Sequence, residues 1–438
     1  MERSQVTLEQ IVALCKRRGF IYQSSEIYGG LNGVYDTGPL GVSLKQNIRR
    51  AWESVLLKHA TADVVMFEGA LLGTEAMWTA SGHVSNFHDP LVDCLTCKHR
   101  FRADDVNLEK PCPRCGNKSW TDVREFHLMF STQVGAAAGS TSIAYLRPET
   151  AQSIFVNFKN IMATNRVKLP FGVAQVGKAF RNEITPKQFL FRMREFEQME
   201  LEWFCSPSDA RMWFDFWVNQ RLAWYAWLGV NPERVRARVY KAEELSHYST
   251  ATSDIEYCFP FGWKELEGVA YRGNFDLTQH SKHSGKDLAV FNDATKESYV
   301  PHVVESSVGV DRLFLTLLFE AYDEEPTDEG VRVVLKLHPM LAPIKAAFFP
   351  LVKDQIEPME KLYRAVRATG IPVQFDSSGS IGKRYRRHDE IGTPLCFTYD
   401  FESDNDGCVT VRHRDTMKQE RIPCDQILSY IQKVVGGI

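Results

Sequence analysis

Phe180-Arg181-Asn182-Glu183, a short polar turn, and then Phe191-Arg192-Met193-Arg194-Glu195-Phe196-Glu197-Gln198-Met199-Glu200 interleave charge with apolar residues where strands should run. The preceding segment, Val173 to Phe180, has strand-like apolar content. The following one, Met199-Glu200-Leu201-Glu202-Trp203-Phe204, alternates cleanly. With Thr185-Pro186-Lys187 between them, the two halves predict a β-hairpin. Three arginines and four glutamates crowd one end of it. On a buried sheet such a density of charge is costly unless the charges meet a ligand or each other.

Outward from the hairpin, the chain is 438 residues long, which predicts two or three domains. Net charge is −3, so any nucleic-acid contact has to come from local patches rather than from a polycationic whole. The stretch Met1 to Phe20 has no apolar core of signal-peptide length, and no run of eighteen uncharged apolar residues predicts a membrane span. Four of the ten cysteines fall in two tight pairs and six are scattered, a pattern that suggests a reducing, cytoplasmic compartment and one metal site.

Leu8 to Arg18 reads as an amphipathic helix, and a glycine-rich stretch, Tyr28 to Gly41, leads into a long helix from Ser43 to His59. Residues 207 to 228 read as an aromatic-rich helix with Ser206 as N-cap and Pro207 at its first position. The acidic run Asp323 to Gly330 reads as a hinge. Beyond it, strands near Val331–Leu337, Val373–Phe375, Leu395–Tyr399 and Cys408–Val411 alternate with helices at Lys353–Thr369 and Asp425–Val435, a small α/β domain. Its run Lys383-Arg384-Tyr385-Arg386-Arg387-His388 is the densest positive patch in the chain, either a contact for nucleic-acid phosphates or a solvated basic face.

Cys94-x-x-Cys97 and Cys112-x-x-Cys115-Gly116 supply four thiolates, a set suited to tetrahedral structural zinc with no open position for catalysis. The loop between the pairs carries Arg100-Phe101-Arg102-Ala103-Asp104, which the metal would hold in place. Gly172 to Ala179 nearly spells a phosphate-binding loop, but Ala179 stands where a hydroxyl should reach magnesium, so the segment reads as a strand. Within the hairpin, Arg181 and Arg192 can grip phosphates, Phe196 can stack on a base and Glu183 can accept from an exocyclic amine. An internal salt-bridge lattice is the plainer alternative. Val303 to Arg312 reads as strand, glycine turn and helix through Glu320, with Arg312 in the first helical turn, where a cation is unfavourable unless a ligand meets it. Glu265 and Glu267, two apart on one strand, read as a pair on one face suited to magnesium and phosphates.

Together these segments resemble the class II aminoacyl-tRNA synthetases. Phe180-Arg181-Asn182-Glu183 with Arg192-x-x-x-Phe196-x-x-x-Glu200 is similar to that class's second motif, Gly309-Val310-Asp311-Arg312 to its third, and Gly38-Pro39-Leu40-Gly41 with the helix after it to its first. Arg147-Pro148-Glu149-Thr150-Ala151-Gln152, Phe101-Arg102-Ala103-Asp104 and Glu305-Ser306-Ser307-Val308-Gly309 narrow the resemblance to the single-chain, homodimeric glycyl-tRNA synthetases. Asp105 departs from the pattern, standing where a histidine is common. The resemblance spans nearly the whole chain. It implies an α+β catalytic domain over residues 1–325, an antiparallel sheet flanked by helices. A zinc-knuckle insert would lie near 91–125 and a helical insertion near 206–255. An α/β anticodon-binding domain would span 331–438.

The resemblance further implies glycine–tRNA ligase activity with ATP, Mg2+ and structural Zn2+, and tRNA(Gly) and a second copy of the chain as partners. Arg181, Arg312 and Glu265 would be catalytic. ATP would lie among Arg181, Asn182, Glu183, Phe191, Arg192, Arg194, Phe196, Glu265, Leu266, Gly309 and Arg312. Glycine would lie among Arg102, Glu149, Phe196, Glu200, Glu305, Ser307 and Gly309. A catalytically inactive, nucleic-acid-binding relative is the alternative; it should have lost Arg181, Glu183, Glu265 or Arg312, and all four are present.

Overall fold

The computed structural model describes residues 6–59, 63–135, 142–245, 249–292, 295–327 and 330–436. Its centre is a seven-stranded sheet. In chain order the strands are β1 (Val64–Met66), β2 (Phe171–Phe180), β3 (Glu195–Cys205), β4 (Val235–Val239), β5 (Ala251–Phe259), β6 (Gly262–Gly273) and β7 (His302–Gly309). Across the sheet they run β4-β5-β6-β7-β3-β2-β1, antiparallel except where β1 lies parallel to β2. The hairpin is β2 against β3, from Phe171 opposite Phe204 to Phe180 opposite Glu195.

The strict alternation of β3 explains how its charge is housed. Met199, Leu201, Trp203 and Cys205 enter the main apolar core beside Trp213, Phe214 and Trp217 of helix α3 (Ala210–Trp227) and Leu313 and Phe314 of helix α4 (Val310–Ala321). Glu200 and Glu202, being the intervening residues, point to the opposite face. Two helices complete the packing around α4. Helix α1 (Leu8–Arg18) starts on a Thr7/Gln10 capping box. Helix α2 (Pro39–His59) packs on α4, with Lys45 salt-bridged to the buried Asp311. Gly38 and Gly41 lead into α2 in close contact with the chain after α1; a Cβ there would meet the carbonyl oxygens of Gly19 at 2.4 Å and Phe20 at 2.1 Å.

The structure alters three expectations drawn from the sequence. Helix α3 begins at Ala210, not at Pro207, because the Ser206 hydroxyl is engaged with Ser208, and Ser208 with Asp209, in a turn that precedes the helix. Among the described residues of the interval 206–255, α-helix is confined to Ala210–Trp227, with single 3-10 turns at Pro232–Arg234 and Ala242–Glu244; β4 and the start of β5 join the main sheet as strands. The acidic hinge is instead a hairpin, Tyr322–Thr327 against Gly330–Leu335; Asp328 and Glu329 at its turn lie outside the described residues. Its acids face cations across the ladder: Glu325 pairs with Arg332, and Lys336 lies 2.8 Å from Asp323 and 2.6 Å from Glu325.

The C-terminal part has a five-stranded sheet built from β8 (Ala346–Pro350), β9 (Val373–Phe375), β10 (Leu395–Tyr399), β11 (Cys408–His413) and β12 (Gln419–Pro423), ordered β9-β8-β10-β11-β12. Helices α5 (Ile356–Arg367), α6 (Ile381–Glu390) and α7 (Ile427–Val435) accompany it. The central, wholly buried β8 and helix α6 went unread in the sequence.

Candidate active site

A cavity of about 540 Å³ opens on the face of the main sheet that carries Glu200. Its position follows from the strand alternation: core side chains leave by one face, and every second residue of β3, β6 and β7 is delivered to the other. Apart from Asn182 and Arg194, each residue the sequence assigned to ATP or glycine lines this cavity.

One end is cationic and aromatic. The Arg181 guanidinium lies 5.3 Å from the Phe196 ring centroid and 5.4 Å from that of Phe87, and its Nε donates to the Pro148 carbonyl at 3.0 Å. Arg312 stacks over Phe191 at 4.4 Å; its Nη1 donates to the Glu265 carbonyl at 2.7 Å and lies 3.5 Å from the Glu265 carboxylate. Arg192 stands 4.0 Å from Glu183, whose carboxyl burial raises above its usual range while Arg192 and Arg181 pull it back. These guanidinium groups are anchored by one or two contacts each, which leaves donors directed into the cavity.

The other end is acidic. Glu200 accepts from the Thr150 hydroxyl and, opposite Ser307 in the ladder, is pushed up to about 8 by burial and then by the charges of Glu305 and Glu149. Glu305 is held by Arg272, whose Nε and Nη2 bind Asp276 at 2.7 and 2.8 Å. Burial works against ionisation of Glu149, but His83 at 3.3 Å, Arg272 and the Gln152 amide outweigh it and hold the carboxyl well below its usual range. Ser307 Oγ accepts from Gln198 Nε2 at 3.2 Å. Arg102 reaches this cavity from the cysteine insert and is fastened by Asp89 at 3.1 Å.

Two of the expected residues do not line the cavity. Arg194 donates to the backbone carbonyls of Asn32 and Glu183, so it braces the hairpin turn, and Asn182 enters the structure through a backbone bond to Leu128, 2.7 Å long. A third expectation is reversed. Glu265 and Glu267 do not share a face, because the ladder between β5 and β6 slips at Leu266, Ile255 facing Glu267 while Glu256 faces Glu265. Glu265 therefore enters the cavity. Glu267 turns to the rear, where Arg221 at 2.7 Å, Tyr225 and Ser306 bind it in full burial. Sequence reading missed Arg272, Asp276, Asp89, Asp254 and His83; each stands alone in its segment, and only the fold brings it to the site.

The four cysteines converge. Cys94 Sγ lies 3.6 Å from Cys115 Sγ, and Cys97 Sγ 3.9 Å from Cys112 Sγ, with all four within 4.8 Å of one another. A tetrahedral zinc with bonds of about 2.3 Å separates its sulfurs by about 3.8 Å, so this donor set fits that ion. The insert forms a three-stranded sheet of His88–Asp93, Arg100–Arg102 and Arg124–His127, which carries Arg102 to the cavity.

Comparison with known proteins follows the same division. Residues 140–322 match the family model described as the tRNA synthetase class II core domain (G, H, P, S and T), and residues 345–434 match the anticodon binding domain. Proteins named glycine–tRNA ligase are similar over nearly the full length. That of Caldanaerobacter subterraneus subsp. tengcongensis is 50% identical over 456 residues, covering 98% of both chains. That of Geobacillus thermodenitrificans is 49% identical over 458 residues with the same coverage. That of Acetivibrio thermocellus is 50% identical over 454 residues, covering 97% of this chain and 98% of its own.

Proposed function

The chain belongs to the glycine–tRNA ligases built on the class II synthetase core, and from that premise we propose how its residues divide the reaction. It activates glycine with ATP to glycyl-adenylate and pyrophosphate, then passes the glycyl group to the 3′ end of its tRNA. The observation that carries the assignment of roles is the polarity of one cavity, with guanidinium groups at one end and carboxylates at the other.

Arg181 binds the α-phosphate, and Arg192 and Arg312 bind the β and γ end. Phe196 and Glu183 hold adenine, with Phe191, Leu266 and Gly309 shaping the nucleotide bed. Glu149, Glu200, Glu305 and Ser307 hold the glycine ammonium, and Arg102 stands near its carboxylate. That carboxylate is already a nucleophile and attacks the α-phosphorus in line, so the protein needs no serine, cysteine or general base. Charge builds on phosphate oxygens, and catalysis is positioning plus preorganised positive charge. Glu265, an oxygen donor in the cavity wall, would hold magnesium, which would neutralise phosphate charge, whereas Glu267, bound to Arg221 at the rear, would take no part. The four cysteines hold a structural zinc. Glycine offers an ammonium and no side chain, so charge binds it and larger amino acids are rejected by clash.

Residues 1–325 form the catalytic unit and 331–438 the anticodon-reading unit, of the single-chain homodimeric type. Exposed Ile27, Tyr28 and Leu31, in the glycine-rich stretch before α2, support a subunit contact there. None of the ten cysteines is in a disulfide, which supports the cytoplasm as its compartment, and no described helix is long and apolar enough to cross a membrane.

The assignment is tested by ATP–pyrophosphate exchange with glycine, alanine and serine. Exchange should depend on glycine alone, and Arg181→Ala should lower it by about 100-fold or more, the usual loss on removing a preorganised donor. A near-normal rate in that variant would sink the role given to Arg181.

A further inference from the structure

Below the acidic end of the cavity, Glu202 lies two residues beyond Glu200 on the same face of β3 and directly across from Glu305 on β7. It is fully buried, and among the described residues neither of its carboxylate oxygens has a hydrogen-bond partner. One oxygen from each of Glu200, Glu202 and Glu305 falls within 4.8 Å of the other two. Three ionised carboxylates at that spacing in a buried wall repel too strongly to coexist.

The groups packed around the trio do not supply enough positive charge to change this. From β6, Arg272 binds Glu305 but is shared with Asp276 of the helix Phe275–Ser284. Before the helix Gln152–Asn165, Arg147 adds one cation that acts on Glu200, its Nε and Nη1 donating to the Lys178 and Gly69 carbonyls and the Gln175 amide, and Glu149 adds a further acid that faces His83. Thr150 and Ser307 are neutral. Acids outnumber cations, so the glycine-free site must hold protons.

We propose that Glu202 is a positioning residue for glycine: it stays a neutral acid beneath the pocket, its O–H shared toward Glu305 and Glu200, and entry of the glycine ammonium drives one proton from Glu200 to solvent. This rests on reading the acidic end as the glycine site. In the step, the Glu200 O–H bond breaks, its electron pair stays on the carboxylate, and the proton leaves to water through the cavity mouth. The ammonium keeps its three protons and replaces the lost positive charge. Glu305 stays ionised against Arg272, and Glu202, out of reach of the ligand, keeps its proton. The burial that pushes Glu200 up to about 8 raises Glu202 well above the usual carboxyl range, so the proton leaves Glu200 first.

The test is calorimetric titration of the full-length enzyme with glycine at pH 7 in buffers of different ionisation enthalpy. Release of about one proton per glycine is expected, with affinity rising by up to about tenfold per pH unit toward pH 8. Glycine binding with no buffer-dependent heat would overturn the inference and leave the glycine site standing; no binding at all would overturn both. Two variants separate a neutral acid from an anion. Glu202→Gln, an uncharged isostere with an N–H donor, should keep the glycine KM within about threefold, whereas Glu202→Leu should raise it about tenfold or more with the ATP KM unchanged. Equal damage from both would show that Glu202 works as a carboxylate. Should neither variant fold, the wild-type calorimetry decides alone.

Discussion

Ser307 lines the acidic end of the cavity, the proposed seat of the glycine ammonium, beside Glu200 and bonded to Gln198. Its removal should therefore be felt by one substrate. Ser307→Ala should raise the glycine KM about tenfold, the loss of one hydrogen bond to a charged group, while the ATP KM moves little; equal effects on both would place the hydroxyl elsewhere. At this scale the sequence was legible where a residue type could do only one thing in its setting. A glutamate alternating with core residues on a buried strand, as Glu200 does, has to face a ligand or a counter-charge. It was illegible where two residues of one kind compete. Nothing in Arg192-Met193-Arg194 says which guanidinium turns to the cavity and which to the carbonyls of Asn32 and Glu183.

Among the elements, the cysteine insert is the one whose order the proposed zinc would govern besides packing. It is small, and the four sulfurs sit beside the short strand that delivers Arg102. Stripping the metal with a chelator should lower thermal stability and raise the glycine KM through release of Arg102, with zinc restoring both; unchanged kinetics would detach the insert from the pocket. The basic run on α6 teaches a different lesson. Arg384 is buried, donating to the Gly379 and Pro350 carbonyls, Arg387 pairs with Asp376, and Tyr385 packs on Phe349. Two of the four cations in the densest positive patch of the sequence are thus engaged by the fold itself. A run of charge could not disclose this, because long basic side chains bury their stems and send their heads to carbonyls that only tertiary structure supplies. For the same reason α6 showed no apolar stripe to read.

Over the whole molecule, the C-terminal unit carries a pH dependence of its own. His388 is buried against Phe349, 3.0 Å from the Thr393 hydroxyl, and burial pushes its imidazole down to about 4. The unfolded chain takes up that proton near the ordinary value of 6.5 and the folded one refuses it until about 4, so stability should fall as pH drops through this window, by up to about 3 kcal/mol. Thermal melts from pH 7.5 to 4.5 should show a shallower slope for His388→Gln than for the wild type; parallel slopes would mean the histidine is accommodated charged. The two-part organisation was legible in the shift to alternating strands and helices beyond residue 330. The nature of the join was not, because an acidic run looks like a linker until the cations of its partner strand are known.

The slip at Leu266 separates two tasks that share a single strand. One extra residue lets β6 rest against α3 through Glu267 while offering Glu265 to the cavity, so the rear can stay cemented as the front varies. Deleting Leu266 would leave the two glutamates consecutive on a regular ladder and still on opposite faces, whereas straightening the bulge with every residue kept would put both on one face and cost one of them its place.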